Sequence, residues 1–201
     1  MNVFLDLDAT VIWSGLLQAE DEEEVYNIEK YKKKARNFHF ENMDGYYVIF
    51  ERPGLQKFLN FLFKNFNVSV WTAADQAYGS FIIKNFILNK HPSRKLNYAF
   101  FNYHTNKSFD IKNGQKDLRL IYDIYQIPGY NTDNTFIIDD NQLVFETQPN
   151  NCIIAPQFDF TDGNSEDDNF FSVLENELRV MMKKNKLEIK TINDKIIKKN
   201  Y

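Results

Sequence analysis

Met1-Asn2-Val3-Phe4-Leu5-Asp6-Leu7-Asp8-Ala9-Thr10 opens the chain, and the remaining segments take their meaning from it. Val3, Phe4, Leu5 and Leu7 form a short apolar run of the kind found in strands buried on both faces. Asp6 and Asp8 interrupt that run two residues apart. On an extended chain this spacing points both carboxylates to one side. Burying a carboxylate is costly unless it is paired or bound to a cation. A core strand that finishes in Asp-x-Asp therefore asks for a metal, a partner base or both.

Further segments repeat the pattern of apolar strand and polar end. Arg52-Pro53-Gly54 breaks the chain where a helix can start, and Leu55, Phe58, Leu59 and Leu62 then recur at helical spacing. Asn67-Val68-Ser69-Val70-Trp71 reads as the next strand, with Thr72 at its end. Strand, helix and strand make a right-handed crossover, which sets Thr72 beside Asp6 at one sheet edge. Gly114-Gln115-Lys116-Asp117-Leu118 opens a helical pattern through Leu118, Ile121, Tyr122 and Tyr125. A lysine at a helix start opposes the helix dipole, so a compensating anion is expected near Lys116. Thr135-Phe136-Ile137-Ile138 is another buried strand, and it ends in Asp139-Asp140-Asn141. Each feature alone has an ordinary explanation: a threonine after a strand is often a helix cap, and surface lysines are common. Together and in this order, on alternating β and α elements, they are specific. Ligands of open α/β sheets also collect at the carboxyl ends of the strands.

Asp6-Leu7-Asp8-Ala9-Thr10-Val11 resembles the D-x-D-x-[TV] motif of the haloacid-dehalogenase-like (HAD-like) phosphatases. The longer stretch Leu5 to Ser14, with Arg52-Pro53-Gly54, Trp71-Thr72-Ala73-Ala74 and Lys116-Asp117-Leu118, is similar to the NLI-interacting factor-like phosphatases that act on the C-terminal domain of RNA polymerase II. The resemblance spans Asp6 to Asn141. It implies an α/β fold, a HAD-like (Rossmannoid) central parallel sheet flanked by helices. A β-hairpin flap and a small insertion between the second and third motifs would complete it. It further implies a Mg²⁺-dependent phosphomonoester hydrolase working through an aspartyl-phosphate. Asp6 would be the nucleophile and Asp8 the general acid and base. Thr72, Ala73 and Lys116 would hold the phosphate oxygens. Asp6, Asp8, Asp139 and Asp140 would form the metal site, with Asp8 contributing its backbone carbonyl and only one of Asp139 and Asp140 binding directly. The family commonly carries an Arg-Glu pair where this chain has Asn102-Tyr103.

Composition sets the limits. The chain has 201 residues, 43% hydrophobic and 26% charged, enough for one domain with a real core. A net charge of −4 excludes a polycation built for nucleic acid. One cysteine, Cys152, excludes an internal disulfide and suits a reducing compartment. No apolar run reaches membrane-spanning length, and Asp6 and Asp8 break the one candidate for a leader. The chain reads as soluble and intracellular, with no membrane partner.

The expected domain is residues 1–182, with flap and insert at about 11–50 and 90–115, followed by a basic tail at 183–201 that reads as a frayed helix. Val11 to Leu17 reads as a helical turn or a loop. Asp21-Glu22-Glu23-Glu24 ahead of Lys32-Lys33-Lys34 fits a helix that complements its own dipole. Phe38 to Phe50, turning at Asp44-Gly45, is a hairpin whose aromatics could wall a groove for a proline-containing peptide. Phe81 to Leu88 reads as helix, Asn97 to Tyr103 as strand, and 102–113 as turn-rich small strands. Cys152 to Ala155 is a last strand, and Phe171, Leu174, Leu178 and Met181 a last helix. The expected substrate is a phosphoserine or phosphothreonine protein or peptide, such as the polymerase C-terminal repeat. Two alternatives remain open: the same fold acting on small phosphate esters or nucleic-acid 3′-phosphates, and an inactive HAD-like interaction module.

Overall fold

A computed structural model describes residues 1–18, 26–89, 91–111, 114–184 and 186–198. Its centre is β1 (Asn2–Leu5), every residue of which is buried. The burial follows from pairing on both sides: β1 lies parallel to β5 (Asn67–Trp71) and to β7 (Thr135–Asp139). With β6 (Ala99–Phe100) and β8 (Cys152–Ile154) the parallel sheet runs in the order β6-β5-β1-β7-β8. The chain builds outward from β1 through β5 to β6, then returns to the other side for β7 and β8. The switch point falls between β1 and β7, where an open α/β sheet leaves a crevice at its carboxyl edge.

Side chains alternate across this sheet with period two. Val3, Leu5, Val70 and Ile138 face one core, shared with α2 (Leu55–Asn65), α6 (Phe170–Lys184) and α7 (Ile189–Lys198). Phe4, Ile137 and Cys152 face the other, packed on Leu118, Leu120, Ile121 and α5 (Gln142–Thr147). The sheet is thus covered by helical segments on both faces, as its unbroken apolar strands require.

A second, antiparallel sheet has the order β2-β4-β3, from β2 (Ile12–Leu16), β3 (Phe40–Met43) and β4 (Tyr47–Glu51). The hairpin expected over 38–50 is present. Val11 to Leu17, expected as a helical turn or loop, instead contributes a strand, because Ile12 to Leu16 finds β4 as partner. Gly15 is needed there, since a Cβ would lie 2.7 Å from the Trp13 ring and 2.9 Å from Tyr26. The helix expected beside the charged blocks is α1 (Ile28–Ala35), capped by the Asn27 side chain. The acidic block 21–24 lies outside the described residues.

Three further segments differ from expectation. The helix at 81–88 begins earlier, as α3 (Gln76–Ile82), and continues as a π-helical stretch, Ile83–Ile87. The strand expected over 97–103 shrinks to β6, and α4 (Asn102–Phe109) replaces the small strands. Its sequence carries no apolar stripe. It is fixed from outside, by Trp71 Nε1 donating to Thr105 Oγ1 at 3.0 Å and by His104 stacking on Phe100 at 4.3 Å. The basic tail is helical as expected but not frayed: α7 docks by buried Ile189, Ile192 and Ile196, while Asn193 accepts from Ile154 N–H and donates to Cys152 O. Among the described residues no helix is long and apolar enough to cross a membrane.

One buried cation joins the two sheets. Arg52, fully buried just past β4, donates to the Asp168 carboxylate through Nε and Nη2 and to Thr10 O and Pro156 O through Nη1. Phe170 stacks against its guanidinium at 4.5 Å. Only a planar, multiply donating cation fits this set of partners. Arg52→Leu should therefore lower the unfolding free energy by about 3–5 kcal/mol, the cost of removing one partner from a buried pair. Urea denaturation measures it, and a loss below about 1 kcal/mol would show that the clamp is not a stabilising contact.

Candidate active site

The first carboxylate sits where β1 stops. Asp6 is buried, its N–H still donating to Ile138 O at 3.0 Å, so its side chain enters the crevice at the switch point. Beyond it the chain turns sharply: Thr10, Val11 and Ile12 N–H groups all point back to Leu7 O, and Ala9 adopts a left-handed φ of 55°. That turn brings Thr10 beneath Asp6. Thr10 Oγ1 lies 3.0 Å from Asp6 Oδ2 and 3.1 Å from Asp140 Oδ1, so one hydroxyl proton is shared between two carboxylates. The same oxygen accepts the Asp140 N–H at 3.1 Å.

From the neighbouring strand, β7 delivers Asp139, fully buried, with Oδ1 accepting the Asn141 N–H at 2.9 Å. Lys116 lies between the two strand ends. Its Nζ donates to Asp6 Oδ1 at 2.5 Å and to Asp139 Oδ2 at 2.8 Å. Burial alone would favour the neutral amine, but the charges of Asp6 and Asp139 outweigh it and hold Lys116 above the ordinary ammonium range. Burial, then the nearby Asp6 charge, raises both Asp139 and Asp140.

Lys116 does not begin a helix, as the sequence suggested. Its backbone is left-handed, φ 46°, a conformation that needs support in a residue with a side chain. The support is Gln148, just past α5: its Nε2 donates to Lys116 O at 3.0 Å and its Oε1 accepts Leu118 N–H at 2.9 Å. Gly114 is required in the same loop, since a Cβ there would meet Asp117 Oδ2 at 2.5 Å.

Asp6, Asp8, Thr72, Ala73, Lys116, Asp139 and Asp140 all line one open cleft of about 500 Å³, so every residue singled out in the sequence reaches the same place. Thr72 arrives at the end of β5, its hydroxyl accepting the Ala74 N–H at 3.0 Å. Within the cleft the carboxylates divide. Asp6, Asp139 and Asp140 offer oxygens that all lie within 4.8 Å of one another. The Asp8 carboxylate is outside that group and turned away, its Oδ1 accepting the Tyr78 hydroxyl at 2.5 Å. Burial pushes Asp8 up to about 6, with the Tyr78 bond acting against the rise and the Asp6 charge adding to it. A set of three carboxylates is a hard-oxygen donor set and fits Mg²⁺. Asp8 does not join that set through its side chain.

Tyr78, Thr10, Gln148 and Arg52 carry contacts that the sequence did not single out. Asn102 begins α4, its N–H donating to Ala74 O behind the cleft. The aromatic hairpin is split: Phe50 is buried, stacking on Phe160 at 3.7 Å, Phe38 and Tyr47 are half-buried, with Phe38 5.0 Å from Phe160, and Phe40 and Tyr46 are exposed.

Comparison with known proteins adds an independent line. The family model described as "NLI interacting factor-like phosphatase" matches residues 1–188. The CTD phosphatase-like protein 355R of Invertebrate iridescent virus 6 is 44% identical over 170 residues, 83% of this chain and 91% of the relative. The like-named protein of Invertebrate iridescent virus 3 is 38% identical over 171 residues, 83% of this chain and 88% of the relative. The solved structure of Fcp1, titled an essential RNA polymerase II CTD phosphatase, superposes with a TM-score of 0.56 at 20% identity. That match covers 92% of this chain, which spans about half (48%) of the Fcp1 chain. It shows the fold, a HAD-like α/β domain.

The electrostatics of the cleft give a direct test. Lys116→Met leaves Asp6 and Asp139 buried without their shared cation, and should cost about 3–5 kcal/mol of stability in EDTA. Millimolar Mg²⁺ should recover most of that loss, because binding to the folded state stabilises it by mass action. Thermal melting reads both effects; a variant that melts identically with and without Mg²⁺ would show that the three carboxylates do not hold the ion.

Proposed function

The chain belongs to the NLI interacting factor-like phosphatase family, and from that premise we propose that it is a Mg²⁺-dependent phosphatase of phosphoserine and phosphothreonine proteins, working through an aspartyl-phosphate. The observation that carries the proposal is the convergence of Asp6, Thr72, Lys116 and Asp139 on one cleft at the sheet's switch point. Phosphoryl transfer needs little more than positioning and charge, because its transition state spreads negative charge over three equatorial oxygens.

In this mechanism an Asp6 carboxylate oxygen attacks phosphorus as the bond to the ester oxygen breaks. Asp8 gives its proton to that oxygen, which leaves as the alcohol. Asp8 then takes a proton from water, whose oxygen attacks phosphorus, releasing inorganic phosphate and the Asp6 carboxylate. Lys116 and Thr72 face the equatorial oxygens, with the Ala73 backbone beside them. Asp6, one or both of Asp139 and Asp140, and the Asp8 backbone carbonyl would hold Mg²⁺. Bound there, the ion supplies the positive charge that allows a carboxylate and a phosphate dianion to approach.

Two features support a protein substrate. The cleft is open, which suits a side chain presented on a peptide. The curated relatives carry the description CTD phosphatase-like, so the polymerase C-terminal repeat, with phosphoserine in an extended proline-containing segment, is the substrate proposed first. Small phosphate esters form the second reading, favoured by the packing of Phe38 and Phe50 against Phe160, which takes those two hairpin rings away from any peptide.

Asp6→Asn should abolish hydrolysis of an aryl phosphate while melting close to the unaltered protein, and EDTA should stop the unaltered enzyme until Mg²⁺ is returned. Turnover near the starting level in Asp6→Asn would remove Asp6 from the mechanism, and full activity in EDTA would remove the proposed metal site. On substrate, kcat/KM should be higher for phosphorylated repeat peptides than for sugar phosphates or 3′-phosphorylated oligonucleotides. Equal values across the three classes would leave a phosphatase without the proposed protein specificity.

A further inference from the structure

We propose that Tyr78 is the positioning residue for the Asp8 acid and base, and that the antiparallel flap in turn fixes Tyr78; this rests on the role given to Asp8 above. The Tyr78 hydroxyl donates to Asp8 Oδ1 at 2.5 Å. A phenol that donates to a carboxylate makes a charge-assisted bond, among the stronger ones available to a side chain. It occupies one oxygen of Asp8 and leaves Oδ2 to carry the transferable proton. A general acid works only within hydrogen-bond reach of the leaving oxygen, and small displacements of a reacting group are costly. A carboxylate that has left the other three acidic groups, on a turn with a left-handed neighbour at Ala9, needs such a tether.

The tether is itself built in. Tyr78 lies in the first turn of α3, which Asp75 caps by accepting the Tyr78 N–H at 2.9 Å. One residue on, Gly79 lets α3 press against the end of β5: a Cβ there would lie 2.8 Å from the Phe101 ring and 3.1 Å from Thr72 Cγ2. That close approach sets how far the Tyr78 hydroxyl reaches. From the flap, the Tyr47 ring of β4 packs edge-on against Tyr78 with centroids 5.3 Å apart. The Ser14 side chain of β2 faces the same phenol. Ser14 and Tyr47 belong to paired strands, with Leu16 opposite Tyr47 and Ser14 opposite Ile49, so the flap meets Tyr78 as one unit.

Tyr78→Phe keeps the ring and removes only the donor. With Mg²⁺ present, kcat is measured for Tyr78→Phe, Asp8→Asn and the double variant on a phosphoserine peptide and on p-nitrophenyl phosphate. Tyr78→Phe should lose about tenfold in kcat on the peptide, the scale of one charge-assisted hydrogen bond. On the aryl ester, whose leaving group needs little protonation, the loss should be several times smaller. KM should change by less than about twofold, since the bond acts on chemistry rather than on binding. Adding Tyr78→Phe to Asp8→Asn should cause no further loss, because two residues acting through one group are not additive. Equal losses on both esters, or additive losses in the double variant, would overturn the role of Tyr78. If Asp8→Asn shows the leaving-group dependence and Tyr78→Phe does not, the inference fails alone. If neither does, the acid-base reading of Asp8 fails and takes the inference with it.

Discussion

A lysine ammonium held between two buried carboxylates is the constraint around which this molecule is arranged. Asp6 and Asp139 end adjacent parallel strands, and neither could stay charged there without compensation. The compensation cannot come from the strands, whose side chains fill the two cores. It comes from a loop that must cross the carboxyl edge of the sheet and bend into a left-handed turn to point Lys116 inward. Gln148 and Gly114 exist in their present contacts to make that bend tolerable. The same charges that must be balanced in the resting protein are those a phosphate and a divalent ion would meet on arrival.

The second buried cation, Arg52, works at a different scale. It touches the Thr10 carbonyl within the turn that carries the acidic motif. It also holds the loop at Pro156 and Asp168, two residues ahead of α6. The flap, the motif turn and the last layer of helices therefore meet at one guanidinium. Flap position and site geometry are linked through this point as well as through the Tyr47 and Tyr78 rings.

β1, β5 and β7 were legible in the sequence because each is an apolar run closed by a polar residue, and those closers were the cleft residues themselves. What could not be read depended on partners distant in the chain. β2 has Ser14 and Gly15 in its middle and becomes a strand only when β4 lies beside it. α4 has no apolar stripe and is anchored by Trp71, more than thirty residues earlier. α7 read as a basic, frayed helix, because its three buried isoleucines, Ile189, Ile192 and Ile196, have meaning only against β8 and α6. Tyr78, Gln148 and Asp168 are ordinary residues in ordinary surroundings until folding brings them to Asp8, Lys116 and Arg52. Local chemistry announced the charged groups; the groups that aim them were set by tertiary geometry.

The Asn193 side chain offers one more consequence. β8 is the last strand of its sheet, and its outer edge exposes backbone donors and acceptors to any extended chain that passes. Asn193 takes the Ile154 N–H and supplies a proton to Cys152 O, the two bonds that an added strand would make. A single amide thus imitates a neighbouring strand and closes the ladder. At the opposite end, β6 is only two residues long and offers little to copy. The sheet is sealed against self-association at one edge by mimicry and at the other by brevity, which protects a molecule whose central strands would otherwise be strong templates for aggregation.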